Sequence, residues 1–319
     1  MGLKKLRLAK PRGFCAGVDR AIDVVSMALQ SYGSPIYVRK EIVHNKYVIQ
    51  SLAAKGAVFV EDIAEIPEGA VTIFSAHGVS PEVRAQAAAK NLKVIDATCP
   101  LVTKVHLEAV RFAKEGRSII LVGHAGHDEV IGTMGEVPGK IQLVGSVEEA
   151  EKVQVPDPAS AAVITQTTLG VDDANEIINV LKRRFPSLVT PSGDDICYAT
   201  QNRQTGVKLL AKEADLVLVL GSDNSSNSRR LREVAESAGA RAYLIDDASE
   251  IEPHWLEGVQ CVAITAGASA PEHLVQEVLA YFKALGVEQL EEVEAVEEKV
   301  TFTLPPELAR EVAKPGSVR

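Results

Sequence analysis

The sequence predicts an α/β protein of three related units with mainly parallel sheets, set in a pseudo-threefold arrangement around one central pocket. Three observations predict it. Short apolar runs alternate with helical periodicity along most of the chain. Three segments open with a cysteine and continue as a helix: CAGVDRAIDVVSMALQSYG, CPLVTKVHLEAVRFAKEG and CYATQNRQTGVKLLAKEAD. After each of them, strands end in small polar residues at similar distances from the cysteine.

Taken in order, the basic N-terminal stretch holds an alternating strand, LRLA, just before Cys15. In the helix that follows, Val18, Ile22, Val25, Leu29 and Tyr32 make one apolar face, and Gly33 closes it. The second cysteine-led helix has Pro100 in its first turn and Gly116 beyond its end. The third is more polar early, with Val207, Leu210 and Ala214 as its face. PIYVRK, SIILVG and LVLVLG read as buried strands of parallel sheets. They lead to His44-Asn45, to His124 through Glu129, and to Ser222 through Asn227. A helix and a strand follow in each unit (AVFV, KIQLV, RAYLI), then a further strand (AVTIFSAHG, AAVITQTTL, QCVAITAGAS) that carries His77, Thr167 or Ser269 at its end. VIDAT delivers the chain to Cys99, and the looser LVTPSGDDI to Cys197. The strand before Cys15 has no preceding repeat and is assigned to the third unit. The expected segments are 15–98, 99–196, and 1–14 with 197–286. Residues 287–319 form an acidic segment, read as a solvated surface stretch, and a tail in which VTFTLPPEL reads as a last strand and a turn.

The function classes narrow with composition. The 319 residues carry a formal net charge of −9 and only 4% aromatics, which argues against nucleic acid or an anionic membrane as partner. No apolar run of about 18 residues is present, so no membrane helix is expected. The N-terminus lacks the apolar core of a secretion signal, so a cytoplasmic protein is expected, and no transit segment is seen. The four cysteines, Cys15, Cys99, Cys197 and Cys261, are widely spaced and form no CxxC pair. In a cytosolic protein of this size, metal or catalytic chemistry is a better reading than disulfides.

Cys15, Cys99 and Cys197 each sit where a loop becomes a helix. The positive end of the helix favours the thiolate, the form that binds metal. One cysteine in that place would be ordinary packing, but three in matching repeats point to a shared cation centre. Zinc with three cysteines usually takes a fourth protein ligand, and cubane iron–sulfur clusters usually take four thiolates. Three cysteines on a cubane leave one iron open to a substrate oxygen. Cys261, inside an apolar strand, reads as core filler.

His44, His77 and His127, with Ser225, Ser226, Asn227 and Ser269, follow strands. They form a set of short donors suited to an anion such as phosphate. Glu129, two residues beyond His127, is the natural proton donor for a reductive C–O cleavage, and Thr167 could relay the proton. The remaining histidines (His106, His124, His254 and His273) read as surface or structural residues. Two other readings stay open on the residues alone: a zinc-dependent hydrolase and a non-catalytic iron–sulfur sensor.

The motifs GFCAGVDRAI, EIVHNKYV, FSAHGVSPEV, DATCPLVTKVH, GHAGHDEVIGTMGE, TQTTLGVDD, DDICYATQNRQ, GSDNSSNSRRL and AGASAPEHLV run in order from about residue 7 to residue 285. Together they resemble the 4-hydroxy-3-methylbut-2-enyl diphosphate reductases, iron–sulfur enzymes that catalyse the last step of the non-mevalonate isoprenoid pathway. The resemblance implies a trefoil of α/β units and one 4Fe–4S cluster on Cys15, Cys99 and Cys197. It implies substrate binding by His44, His77, His127, Thr167, Ser225, Ser226, Asn227 and Ser269, and proton donation by Glu129. It also implies reductive dehydroxylation to isopentenyl diphosphate and dimethylallyl diphosphate, with electrons from a small ferredoxin or flavodoxin.

Overall fold

The computed structural model describes residues 3–312. The ends of the expected first and last segments, residues 1–2 and 313–319, lie outside the described residues. The predicted fold class is what the structure shows: three sheets, every strand pairing parallel, with helices between strands.

The chain enters on β1 (Lys5–Lys10) and turns into α1 (Ala16–Tyr32). A four-stranded sheet follows: β2 (Ile36–Arg39), β3 (Ala57–Val60), β4 (Val71–Phe74) and β5 (Lys93–Asp96), in the order β3-β2-β4-β5. Helices α2 (Lys46–Ala54) and α3 (Pro81–Ala89) connect its strands. Next come α4 (Pro100–Lys114), β6 (Ser118–Val122), α5 (Asp128–Glu136), β7 (Ile141–Val144), α6 (Val147–Lys152), β8 (Ala161–Thr165) and α7 (Val171–Arg184). Their strands form a sheet in the order β7-β6-β8. The last stretch holds α8 (Tyr198–Ala211), β9 (Leu216–Leu220), α9 (Ser226–Ser237), β10 (Arg241–Ile245), β11 (Cys261–Ala266), α10 (Glu272–Ala284), β12 (Gln289–Glu294) and α11 (Pro306–Val312). Its sheet, β10-β9-β11-β1-β12, takes β1 from the other end of the chain.

The backbone divides into two compact units. Among the described residues, one comprises 3–16, 44–46 and 198–301 and holds the five-stranded sheet; the other comprises 17–43, 47–197 and 302–312 and holds the remaining two sheets.

Alternation of side chains explains why these strands are continuously apolar. In β6, Ile119 and Leu121 pack with Val105, Ala109 and Phe112 of α4, while Ile120 and Val122 pack on the other face with Ile177 and Leu181 of α7. Both faces are covered, so every position is buried. The five-stranded sheet repeats the scheme, with Val217 and Val219 against Val207 and Leu210 of α8 and Leu231 of α9.

Residues 289–294 lie largely exposed, as a surface stretch should, but they also form a strand the sequence did not reveal, β12, in parallel register along all of β1. The glutamates belong there because β1 is basic: Glu291 pairs with Lys5 and Arg7, Glu292 with Arg12, and Glu294 with Lys10. The VTFTL segment forms no strand, and the chain instead turns at Pro305 and Pro306 into α11, proline being well suited to a first helical turn. Cys261 is half-buried at the start of β11 rather than in the core.

Candidate functional site

All three cysteines stand at the mouths of helices, as the sequence predicts. Cys15 precedes α1, Cys99 is the N-terminal capping residue of α4, and Cys197 precedes α8. Each is a half-buried thiol, and the Cys99 side chain makes no capping hydrogen bond. Their backbone settings repeat. The Cys15 amide donates to the Ala268 carbonyl (3.2 Å), the Cys99 amide to Ala76 (3.0 Å) and the Cys197 amide to Thr167 (3.0 Å). Ala268 and Ala76 immediately precede Ser269 and His77, and Thr167 is itself the third member of that set. Each cysteine is therefore pinned to the polar strand end that the preceding repeat supplies, the third repeat standing before the first. Gly13, at φ +65°, lets the chain turn into Cys15, and a side chain there would press on the Ala270 carbonyl.

The donor set fits an iron–sulfur centre. Three thiols at positive helix ends, partly open and outside any disulfide, are what three irons require as terminal ligands.

Around Cys99 and Cys197, the proton-handling residues predicted from sequence come together. His127 caps α5, and its Nδ1 accepts from the Glu129 amide at 3.2 Å. In the neutral ring that contact places the proton on Nε2, making it a donor. His77 stands edge-on to His127, ring centroids 6.1 Å apart, with its Nδ1 3.3 Å from the Ser75 hydroxyl. Glu129 is 5% exposed, which for a carboxylate demands partners. Thr167 provides them: its amide lies 3.0 Å from Oε2, and its hydroxyl lies 3.0 and 2.9 Å from the two oxygens.

In the unit with the five-stranded sheet, Ser225, Ser226, Asn227 and Ser269 are all buried. Ser225 caps α9 by accepting from the Ser228 amide, and its hydroxyl lies 3.4 Å from that of Ser269. Ser269 donates to the His44 carbonyl at 2.9 Å, and Asn227 accepts from the Ala268 amide at 2.9 Å. Hydroxyls and an amide thus cluster at the start of a twelve-residue helix, where an anion gains from free N–H groups.

Sequence reading overlooked Asp195 and Tyr198, which flank Cys197. The Asp195 carboxylate accepts from the Thr165 amide at 3.0 Å, and burial pushes its carboxyl up to about 6. The Tyr198 hydroxyl accepts from the Ala16 amide at 3.2 Å, joining the first residues of α8 and α1, and burial pushes it up to about 12. Neither residue has a matching type in the other repeats, so the threefold comparison could not find them.

The family model described as "LytB protein" matches residues 6–283. A 4-hydroxy-3-methylbut-2-enyl diphosphate reductase of Acidothermus cellulolyticus is 58% identical over 98% of the chain and 92% of its own length. The reductase of that name from Bordetella pertussis is 57% identical, over 98% and 96%. The solved structure of the Plasmodium falciparum E-1-hydroxy-2-methyl-but-2-enyl-4-diphosphate reductase superposes with a TM-score of 0.93 at 39% identity, covering 97% of this chain and 98% of that one. The parallel-sheet fold and the reductase relatives define the class as an α/β oxidoreductase. Within it, the chain belongs to the LytB protein family.

Proposed function

We propose that the chain reduces 4-hydroxy-3-methylbut-2-enyl diphosphate to isopentenyl diphosphate and dimethylallyl diphosphate, with one 4Fe–4S cluster held by Cys15, Cys99 and Cys197. The observation that carries this reading is the repeated setting of the cysteines, each amide fixed to a strand end bearing His77, Thr167 or Ser269. When bound, the cluster supplies the two electrons and one Lewis-acidic iron without a protein ligand.

The chain's own residues do the rest. Two electrons and two protons turn the allylic alcohol into an alkene and water. One proton leaves with the hydroxyl oxygen and the other ends on carbon. Glu129 is the proton source, and Thr167, within hydrogen-bond distance of both its oxygens, holds and relays that proton. His127 Nε2–H is a donor to substrate oxygen. Ser225, Ser226, Asn227 and Ser269 bind the diphosphate, with His44 and His77 adding imidazole donors. Short neutral donors at a helix start can hold an anion without many lysines or arginines. A small ferredoxin or flavodoxin delivers the electrons, in the cytoplasm, and the three segments 15–98, 99–196 and 1–14 with 197–286 act as the repeats that bring the ligands in.

The test is anaerobic preparation, metal and sulfide counts, and assay with a chemical electron donor. About four irons and four sulfides per chain, with both diphosphate products formed, are expected. Zinc without sulfide would replace this reading with a hydrolase. A cluster whose spectrum ignores the diphosphate would replace it with a sensor.

A further inference from the structure

Each cysteine-led helix carries a cation one and a half turns in, and each cation reaches to the backbone just before a cysteine. Arg20, on α1, donates from its guanidinium to the carbonyls of Ala97 and Thr98, both at 3.1 Å. Those are the two residues before Cys99. Lys104, on α4, donates to the carbonyls of Gly193 (3.0 Å) and Asp194 (2.9 Å) and to the Asp195 carboxylate (3.1 Å), ahead of Cys197. Arg203, on α8 and fully buried, donates to the carbonyls of Gly13 (3.1 and 2.7 Å) and Phe14 (3.3 Å), the two residues before Cys15. The order is cyclic: the helix begun by the first cysteine grips the loop of the second, the second grips the third, and the third grips the first.

We infer that Arg20, Lys104 and Arg203 are three positioning residues that lock the cysteine loops in rotation, so that the three thiols are presented together to the cluster. The inference rests on the cluster reading above. Each loop that delivers a cysteine is irregular, and a backbone turning from strand to helix leaves carbonyls without ladder partners. A cationic donor gripping two successive carbonyls fixes both peptide planes. Ahead of Cys15 and Cys99 the second carbonyl shares a peptide plane with the cysteine amide, which points the opposite way and donates to a strand-end carbonyl; ahead of Cys197, Lys104 holds the Gly193 and Asp194 carbonyls and the Asp195 carboxylate, and the Cys197 amide donates to Thr167. Carbonyls held on one side and amide held on the other leave the cysteine Cα little freedom. Because each cation sits on a helix headed by a different cysteine, displacing one loop strains the next helix. Two grips are reinforced from the C-terminal segment. Thr303 accepts from Arg20 at 2.7 Å, and Glu298 pairs with Arg203 at 3.0 Å.

Lys104 gives the cleanest test, since its side chain is about one-third exposed whereas Arg203 is wholly buried. The holoprotein and its Lys104→Met and Lys104→Arg variants are prepared anaerobically, and cluster loss to an iron chelator is followed by absorbance. Metal-free samples are followed by melting and by hydrogen exchange. We expect Lys104→Met to melt within a few degrees of wild type when metal-free. Its Ile196 and Cys197 amides should exchange faster, and its cluster should be lost about tenfold faster, with Lys104→Arg restoring retention. Equal cluster loss from wild type and Lys104→Met would overturn the inference while leaving the cluster reading intact. A wild-type protein that takes up no iron and sulfide would overturn both.

Discussion

Thr167 holds Glu129 through both backbone and side chain, an arrangement that keeps a buried carboxyl oriented beside the hydroxyl through which the proposed proton transfer runs. Glutamine preserves the shape and removes the acid. Glu129→Gln should lower turnover by about 10²–10⁴-fold, the usual scale of general acid catalysis, while iron content and substrate binding hold; undiminished turnover would remove Glu129 from the mechanism. His106 shows the opposite use of burial. Its Nδ1 lies 3.0 Å from Glu136, which also pairs with Arg84, and its Nε2 has no partner, facing Gly78 and Gly132. Burial lowers its pKa despite the attraction of Glu136. The unfolded chain therefore takes up a proton near pH 6.5 that the folded chain refuses, so stability falls as pH drops below that value. Denaturant melts of the metal-free protein between pH 7.5 and 5.5 should show stability falling with pH through this group, by no more than the one-proton limit of about 1.4 kcal/mol per pH unit. A His106→Gln variant should lack that component, and parallel slopes for the two proteins would refute it.

At the scale of elements, β12 and the cysteine-led helices show what local pattern does and does not reveal. The helices were legible because a cysteine and an apolar face recur three times, with a closing glycine after the first two. β12 was not, because QLEEVE carries three glutamates and its pairing logic lies with Lys5, Arg7, Lys10 and Arg12 at the far end of the chain. Its charge pairs differ in depth. Arg7 has an 8% exposed side chain, whereas Lys10 and Glu294 are about half exposed. Surface pairs contribute little. Glu291→Lys, which sets a third cation beside Lys5 and Arg7, should therefore lower the melting temperature by a few degrees, and Glu294→Lys should leave it nearly unchanged. Equal effects from the two would show that the ladder, and not the buried arginine, decides the pairing. Arg20, Lys104 and Arg203 were equally visible as cations after each cysteine, but a cation on a helix ordinarily means a solvated face, so nothing in the sequence marked them out.

For the whole molecule, the repeat in sequence became a repeat in backbone: parallel sheets and three cysteine amides bound to corresponding strand ends. The largest departure arose where distant segments meet, in the β1–β12 ladder, which no local periodicity encodes. That ladder has a consequence for biosynthesis. β1 leaves the ribosome long before its neighbours β11 and β12. At about 5–20 residues per second, Leu6, Leu8 and Ala9 wait on the order of ten seconds or more for the strands that will shelter them. The nascent chain therefore carries β1 without its sheet partners until β11 and β12 have emerged. The Cys15 turn, anchored to Ala268, takes its final form only once the strand β11 that leads to Ala268 has emerged.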